Sequence, residues 1–132
     1  MAQGKKFGCG IHGLVKKGDQ YLVIRRSLHD HEDPGAWDLP GGGLEIGEQP
    51  FDGVLRETAE EAGISIRVLH PLTVWAFHTH GRWSVELEVF CEYVSGDIRL
   101  STEHTEYKWV TKEELKALQP TSMHVQAIIN TL

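Results

Sequence analysis

The chain has 132 residues, of which 40% are hydrophobic, and its formal net charge at pH 7 is −6. This length holds one hydrophobic core, so we expect residues 1–132 to form a single domain. The acidic balance, without any block of lysine and arginine, argues against a nucleic-acid partner. No apolar run approaches the length of a membrane span, so we expect no membrane contact and a soluble, cytoplasmic protein.

The cysteine content is low. Cys9 and Cys91 are too few for a disulfide framework, and they lack the paired spacing of a zinc site. We therefore expect both thiols to be reduced and buried.

The first third of the chain indicates a β-hairpin followed by an exposed loop. Apolar residues alternate over residues 7–15 and recur over residues 21–24, which predicts two strands joined by a tight turn. Arg25 and Arg26 end the second strand. Residues 27–35 are polar and close on Pro-Gly, so we expect a surface loop of the kind that often borders a substrate site.

A helix is predicted between Pro50 and Gly63. Proline suits the first helical position because its missing N–H would have no partner there, and glycine suits the C-terminal cap. One stripe of the helical wheel is expected to face the core, namely Phe51, Val54, Leu55, Thr58 and Ala62. Glu57, Glu60 and Glu61 lie on the opposite side, and their spacing of three and four residues brings them over one another.

Three acids on one helical face have two interpretations. A solvated surface is the commoner one. However, like charges at this spacing repel, and glutamates near a helix C-terminus oppose the helix dipole, so the cluster costs stability unless a divalent cation offsets it. Just upstream, residues 40–43 form a Pro-Gly-Gly-Gly turn that exposes backbone groups, and Glu48 can pair with Arg56 to fix the entering loop.

A second hairpin is predicted after the helix. A strand over residues 65–78 and a strongly alternating strand over residues 83–93 are expected to pair across residues 79–82. On the alternating strand, the side chains opposite the apolar face are expected to be solvated, namely Glu86, Glu88 and Glu92. The alternative is that one of them reaches a cation bound by the acids of the helix.

The chain is expected to end in a strand and two helices. The strand spans about residues 107–110, and Thr111 with Glu114 forms a capping box for a short helix. Pro120 separates this helix from a final one over residues 122–130. Strands combined with a mid-chain helix and C-terminal helices predict an α/β sandwich.

The residues from the glycine turn to the end of the first helix share the spacing of a known signature. Gly42 is followed after five residues by Glu48, and after seven more by residues 56–64, whose sequence is RETAEEAGI. This pattern resembles the signature of the Nudix hydrolases at every charged and glycine position. Thr58 departs from it, because the signature prefers an aliphatic residue there.

Segments similar to those of the family also flank the signature, at residues 35–40 and 109–115, so the resemblance covers about residues 7–118. It implies the Nudix fold, an α/β/α sandwich with a mixed β-sheet. It also implies hydrolysis of the phosphoanhydride bond in a nucleoside diphosphate linked to another group, with Mg²⁺ or Mn²⁺ and an attacking water. The implied partner is a small-molecule nucleotide. The resemblance also allows a homodimer, since many members of the family are dimers.

The resemblance assigns candidate roles to residues of this chain. The implied metal ligands are the carbonyl of Gly41 and the carboxylates of Glu57, Glu60, Glu61 and Glu103. The candidate catalytic residues are Glu57, Glu60 and Glu61, with Glu57 preferred as general base. The residues expected to hold the motif in shape are Gly42, Glu48, Arg56 and Gly63.

Two choices stay open at this point. Glu103 and Glu106 both belong to residues 103–109, a segment similar to one in some Nudix subgroups, and Glu103 is favoured as the additional metal ligand. Arg25 and Arg26 stand where MutT-like members carry an arginine near the substrate phosphate, and Arg26 is favoured.

The substrate class is predicted from markers that this chain lacks. Residues 79–82, THGR, hold neither the proline typical of ADP-ribose-cleaving members nor the tyrosine typical of dinucleoside polyphosphate hydrolases. A MutT-like nucleoside triphosphate pyrophosphatase, which releases a nucleoside monophosphate and pyrophosphate, is therefore favoured. The alternatives are a dinucleoside polyphosphate hydrolase, suggested by residues 103–109, and a nucleotide-binding Nudix domain without turnover, which the intact acid set disfavours.

Overall fold

The computed structural model describes residues 6–132. Within them the elements are β1 (Lys6–Lys17), β2 (Gln20–Arg26), β3 (Trp37–Asp38), β4 (Gly41–Gly43), α1 (Pro50–Ala62), β5 (Ser65–Thr79), β6 (Arg82–Ser95), β7 (His104–Thr111), α2 (Lys112–Ala117) and α3 (Met123–Ile129). Both predicted hairpins and all three predicted helices are present. The last strand begins earlier than predicted, at His104.

The strands form one mixed sheet in the order β3-β2-β1-β6-β5, with β4 paired to β1 and β7 paired to β2. β1 and β6 run parallel, whereas the other pairs are antiparallel. β1 pairs with β2 only at Lys16 and Lys17, and it pairs with β4 from Gly10 to His12. The strands β1 and β2 therefore diverge, and residues of β3 and β4 line the cleft that this divergence opens.

Hydrophobic cores lie on both faces of the sheet. On one face, Val54 and Ala62 of α1 pack in a cluster with Ile11 of β1. On the other face, Leu115 of α2 and Ile128 of α3 belong to a second cluster. The predicted α/β/α sandwich with a mixed sheet is therefore confirmed.

Helix α1 has the predicted ends, since Pro50 lies in its first turn and Gly63 closes it in the left-handed conformation with φ of 72°. The predicted apolar stripe is wrong at two positions: Phe51 is 42% exposed and Leu55 is 38% exposed. Phe51 lies in the first turn, and Leu55 lies at the edge of the stripe. The buried residues of α1 are Gly53, Val54, Thr58, Glu61 and Ala62, so one of the three acids faces the protein interior.

The turns and caps around the other elements follow the local sequence. His80 and Gly81 both have positive φ, at 52° and 73°, as a two-residue hairpin turn between β5 and β6 requires. Thr111 and Glu114 form the predicted capping box of α2. None of the helices between residues 6 and 132 is long and apolar enough to cross a membrane.

The prediction for the cysteines is half wrong. Cys91 is fully buried in the core beneath α1, but Cys9 is exposed. The buried part of that core begins on β1 at Ile11, so Cys9 lies beyond its end. Both thiols are free.

Candidate active site and metal centre

A cavity of about 490 Å³ lies where β1 and β2 diverge. Its acidic lining residues are Asp30, Glu32, Asp38, Glu57, Glu60, Glu61, Glu86 and Glu103. Its lining arginines are Arg26 and Arg82. Acids outnumber cations in this lining, so a polyphosphate would enter it favourably only together with metal ions that neutralise the carboxylates.

The acids of α1 meet the predicted glycine turn, which is not a tight bend, because its residues Gly41–Gly43 form strand β4 and pair with β1. The Glu61 carboxylate accepts a hydrogen bond of 2.9 Å from the backbone N–H of Gly41. The Glu57 carboxyl lies against Gly42, where a Cβ atom would be only 2.8 Å from its carboxyl carbon. Glycine at this position therefore lets Glu57 approach the turn, while Glu60 is largely exposed at the cavity's edge.

The electrostatics of these acids are unfavourable without a cation. Burial and the neighbouring charges of Glu57, Asp38 and Glu103 together raise the pKa of Glu61 to about 8, although the hydrogen bond from Gly41 opposes the change. Burial also raises the pKa of Glu57, against the effect of Arg56. Carboxylate oxygens held in this way are the hard donors that Mg²⁺ and Mn²⁺ prefer.

Arg56 ties the entering loop to the helix. Its Nε and Nη2 atoms donate to the two oxygens of Glu48, at 2.8 and 3.0 Å. These bonds hold the pKa of Glu48 at about 2. Nη1 donates to Glu57 at 2.8 Å and to Glu60 at 3.2 Å. The structure thus brings together the predicted pair, and the same guanidinium also fixes two of the candidate metal ligands.

The structure separates the two candidate phosphate-binding arginines. Arg26 is 9% exposed, lines the cavity and donates from Nε to Asp38 at 2.8 Å. Burial alone would raise the pKa of Asp38, but interactions with His12 and Arg26 lower it to about 2. Arg25 points outside the cavity and pairs with Glu106 at 2.9 Å between exposed side chains.

The two candidate acids near β7 are separated by the same pairing. Glu103 lines the cavity, and its backbone carbonyl accepts a hydrogen bond of 3.0 Å from Ser27 N–H. Glu106 is held on the outer surface by Arg25. Of the pair, Glu103 is therefore the acid that shares the cavity with the acids of α1.

Glu86 and Glu88 are buried, so the prediction that they are solvated is wrong. Glu88 is fully buried and accepts hydrogen bonds from Trp75 Nε1 at 2.6 Å and from His124 Nδ1 at 3.0 Å. Glu86 is 6% exposed and lines the cavity. Alternation on β6 predicts one solvated face, but α3 covers the central part of that face, and the signal for this burial in the sequence is His124, which contacts Glu88.

The rings of His12 and His124 stack on each other beside Glu88, with ring centroids 3.5 Å apart and planes inclined by 15°. Burial lowers the pKa of His12 to about 3, so its ring is neutral. The pKa of His124 is raised, because its hydrogen bond to Glu88 and the nearby acids outweigh the effect of burial. Ligand atoms of His12, Glu88 and His124 lie within 4.8 Å of one another.

This histidine cluster fits a buried ion pair better than a metal site. A metal ion lies in the plane of each imidazole that binds it, along the nitrogen lone pair. Two rings stacked at 3.5 Å and nearly parallel direct these lone pairs side by side rather than toward one point. Nδ1 of His124 lies instead 3.0 Å from a carboxylate oxygen of Glu88, where a proton on the ring would neutralise the buried carboxylate.

Comparison with known proteins finds that the chain is similar to Nudix and MutT-like proteins. A family model described as the NUDIX domain matches residues 7–129. The chain is 38% identical over 102 residues to a MutT-like protein of Streptomyces ambofaciens; the match covers 77% of this chain and 62% of that protein, less than two thirds of its length. It is 31% identical over 114 residues to the nucleoside triphosphatase NudI of Salmonella agona, covering 77% and 80% of the two chains.

Solved structures share the same fold. The crystal structure of a MutT protein from Methanosarcina mazei Go1 matches with a TM-score of 0.85 and 27% identity, over 98% of this chain and 95% of that one. A MutT NUDIX hydrolase from Burkholderia pseudomallei matches with a TM-score of 0.86 over 97% and 99% of the two chains, and its 23% identity supports the fold alone.

Proposed function

Since the chain belongs to the Nudix family of hydrolases, we propose that it is a Mg²⁺-dependent nucleoside triphosphate pyrophosphatase that releases a nucleoside monophosphate and pyrophosphate. The observation that carries this proposal is the acid cluster of α1 packed on the glycine turn inside the cavity. Similarity to a nucleoside triphosphatase supports the substrate class.

The proposed metal ligands are oxygen atoms from two parts of the chain. They are the carboxylates of Glu57, Glu60, Glu61 and Glu103 and the carbonyl of Gly41. The burial of Glu61 and the seat that Gly42 provides for Glu57 fit a divalent cation, because a second positive charge would offset carboxylates held close together. When bound, the metal neutralises phosphate oxygens and activates water.

The remaining chemistry belongs to the chain itself. Arg26 uses Nε and Nη1 for Asp38 and the Glu32 carbonyl. Among the described residues, no hydrogen-bond partner is found for Nη2, which can therefore donate to a phosphate oxygen. Glu57 is the proposed general base, since it is fixed beside the glycine turn and only partly neutralised by Arg56. The hydrogen bonds between Glu48 and Arg56 hold the guanidinium that in turn fixes Glu57.

The alternatives have less support. The segment of residues 103–109 suggested a dinucleoside polyphosphate hydrolase, but Tyr107 is exposed, Trp109 packs against the core beneath α1, and neither lines the cavity. A binding domain without turnover would have no use for the clustered acids of α1, which cost stability when no cation is bound.

The proposal is tested by a hydrolysis screen of nucleoside triphosphates, dinucleoside polyphosphates and nucleotide sugars with Mg²⁺. We expect triphosphates to be cleaved to monophosphate and pyrophosphate, with activity abolished by excess EDTA and restored by Mg²⁺. Release of inorganic phosphate with a diphosphate product would contradict the assigned bond. Preferred cleavage of dinucleoside polyphosphates would support the alternative substrate class.

A further inference from the structure

The end of the cavity away from α1 has a different character. Across the sheet, Gly43 of β4 lies opposite Gly10 of β1, and Gly10 lies opposite Glu86 of β6. Two strand spacings separate Glu86 from the glycine turn, a distance of roughly 10 Å. This separation is comparable with the distance from the α-phosphate of a nucleotide to its base, so a nucleotide whose phosphates lie at α1 can present its base to Glu86.

Glycines form the floor of this part of the cavity. A Cβ atom at Gly10 would lie 2.5 Å from Oε1 of Glu86, and one at Gly8 would collide with the guanidinium of Arg82. Both side chains therefore lie across β1, in space that only glycine leaves open. Phe77 of β5 also lines the cavity and provides an aromatic surface beside them. An aromatic neighbour of this kind suits a planar ring.

Glu86 has unused hydrogen-bonding capacity. Its Oε2 accepts a bond of 2.5 Å from the Ser84 hydroxyl, whereas its Oε1 is 3.7 Å from Nε2 of His124, beyond hydrogen-bond distance. Among the described residues no donor satisfies Oε1. Glu88 differs, because both of its oxygens accept hydrogen bonds from side chains. A carboxylate oxygen that lines a cavity and has no donor is a group that a ligand can satisfy.

We propose that Glu86 recognises the nucleobase by accepting a hydrogen bond from an exocyclic amino group, so that the enzyme selects amino-bearing bases over uracil and thymine. The inference rests on the proposed function, because it places the substrate phosphates at α1. An ionised carboxylate only accepts hydrogen bonds. Cytosine, adenine and guanine can donate from an amino group, whereas uracil presents carbonyl oxygens on either side of its single N–H, and these repel the carboxylate.

The sharpest comparison is CTP against UTP, since their rings differ mainly in an amino group or a carbonyl at one carbon. We expect wild-type kcat/KM for CTP to exceed that for UTP by about tenfold or more. In Glu86→Gln the amide can donate to a carbonyl, so the ratio should fall toward one, mainly through KM. The matched control is Glu92→Gln, a half-buried surface carboxylate on the same strand that pairs with Arg67, and it should keep the wild-type ratio.

A second measurement needs no substitution. N4,N4-dimethyl-CTP lacks both amino hydrogens, so wild type should treat it as poorly as UTP. Equal use of CTP and UTP by wild type, or an unchanged ratio in folded Glu86→Gln, would overturn the inference.

Binding of CMP and UMP with Mg²⁺, followed by calorimetry, separates the inference from the proposed function. Tighter binding of CMP that Glu86→Gln abolishes, without hydrolysis of either triphosphate, would uphold the role of Glu86 and contradict the proposed reaction. Binding of neither monophosphate would overturn the inference.

Discussion

Replacing Asp38 by asparagine tests the buried ion pair that holds Arg26 in the cavity. The Asp38 carboxylate accepts hydrogen bonds from Arg26 at 2.8 Å and from the Ser122 hydroxyl at 2.6 Å, and Ser122 caps α3. The amide keeps the shape but removes the charge, which leaves the guanidinium of Arg26 partly uncompensated in a buried position. The matched control is Glu106→Gln, which removes the exposed partner of Arg25.

The buried and the exposed ion pair should contribute clearly different amounts to the free energy of unfolding. Breaking a buried pair by removing one partner costs roughly 3–5 kcal/mol. Arg26 keeps the Glu32 carbonyl as an acceptor, so we expect Asp38→Asn to lower the free energy of unfolding by about 2–4 kcal/mol. The exposed pair should contribute only about 0–1 kcal/mol. Urea denaturation at pH 7 measures both variants, and a loss in Asp38→Asn no larger than in Glu106→Gln would refute the reasoning.

The same pair predicts a dependence on pH. The folded-state pKa of Asp38 is about 2, below its ordinary value of 3.8. A depressed pKa stabilises the folded state above the unfolded-state pKa, and the stabilisation is lost as pH falls through the folded-state value. The difference in stability between wild type and Asp38→Asn should therefore persist down to about pH 4 and shrink toward pH 2. A difference that shrinks already between pH 7 and pH 5 would contradict this assignment.

Three further predictions concern the loop-helix unit. Gly41→Ala should strongly lower the melting temperature, because φ of Gly41 is 155° and a Cβ there would collide with the backbone of β1. Gly43→Ala is the control and should melt like wild type, because a Cβ there would have nothing within 4 Å. Equal melting temperatures of the two variants would contradict this prediction. Thr58→Val should raise the free energy of unfolding by about 1 kcal/mol in urea denaturation, because the buried Thr58 hydroxyl has no hydrogen-bond partner among the described residues; a loss of stability would argue against it. Glu48→Gln should raise the Mg²⁺ concentration for half-maximal activity by loosening its bonds to Arg56, and an unchanged Mg²⁺ titration would show that the brace does not position the ligands.

Local signals in the sequence were sufficient to predict most elements. Pro50 and Gly63 bound α1 as predicted, because each fills a backbone position that few other residues tolerate. The hairpin turn at His80 and Gly81 and the capping box at Thr111 are equally local. These signals depend on a few neighbouring residues, so packing elsewhere did not change them.

The errors arose where tertiary contacts decide burial. Alternation along β6 is the same whether its polar face meets water or another layer, and only the packing of α3 shows that Glu86 and Glu88 are buried. The position of Glu61 depends on a hydrogen bond to Gly41, twenty residues away in sequence. Adjacent strand residues face opposite ways, so one of Arg25 and Arg26 is expected to face the cavity. Only their partners in the structure show which of the two does so.

The central claim is that the acids of α1 bind the cation that hydrolysis requires, and the most direct test is the Mg²⁺-dependent turnover of Glu60→Gln. Glu60 is largely exposed, so the variant should keep the wild-type melting temperature, with Glu113→Gln on the surface of α2 as control. We expect kcat for a nucleoside triphosphate to fall at least about a hundredfold in Glu60→Gln and to be unchanged in the control. Wild-type turnover in folded Glu60→Gln, at the same Mg²⁺ concentration, would contradict it.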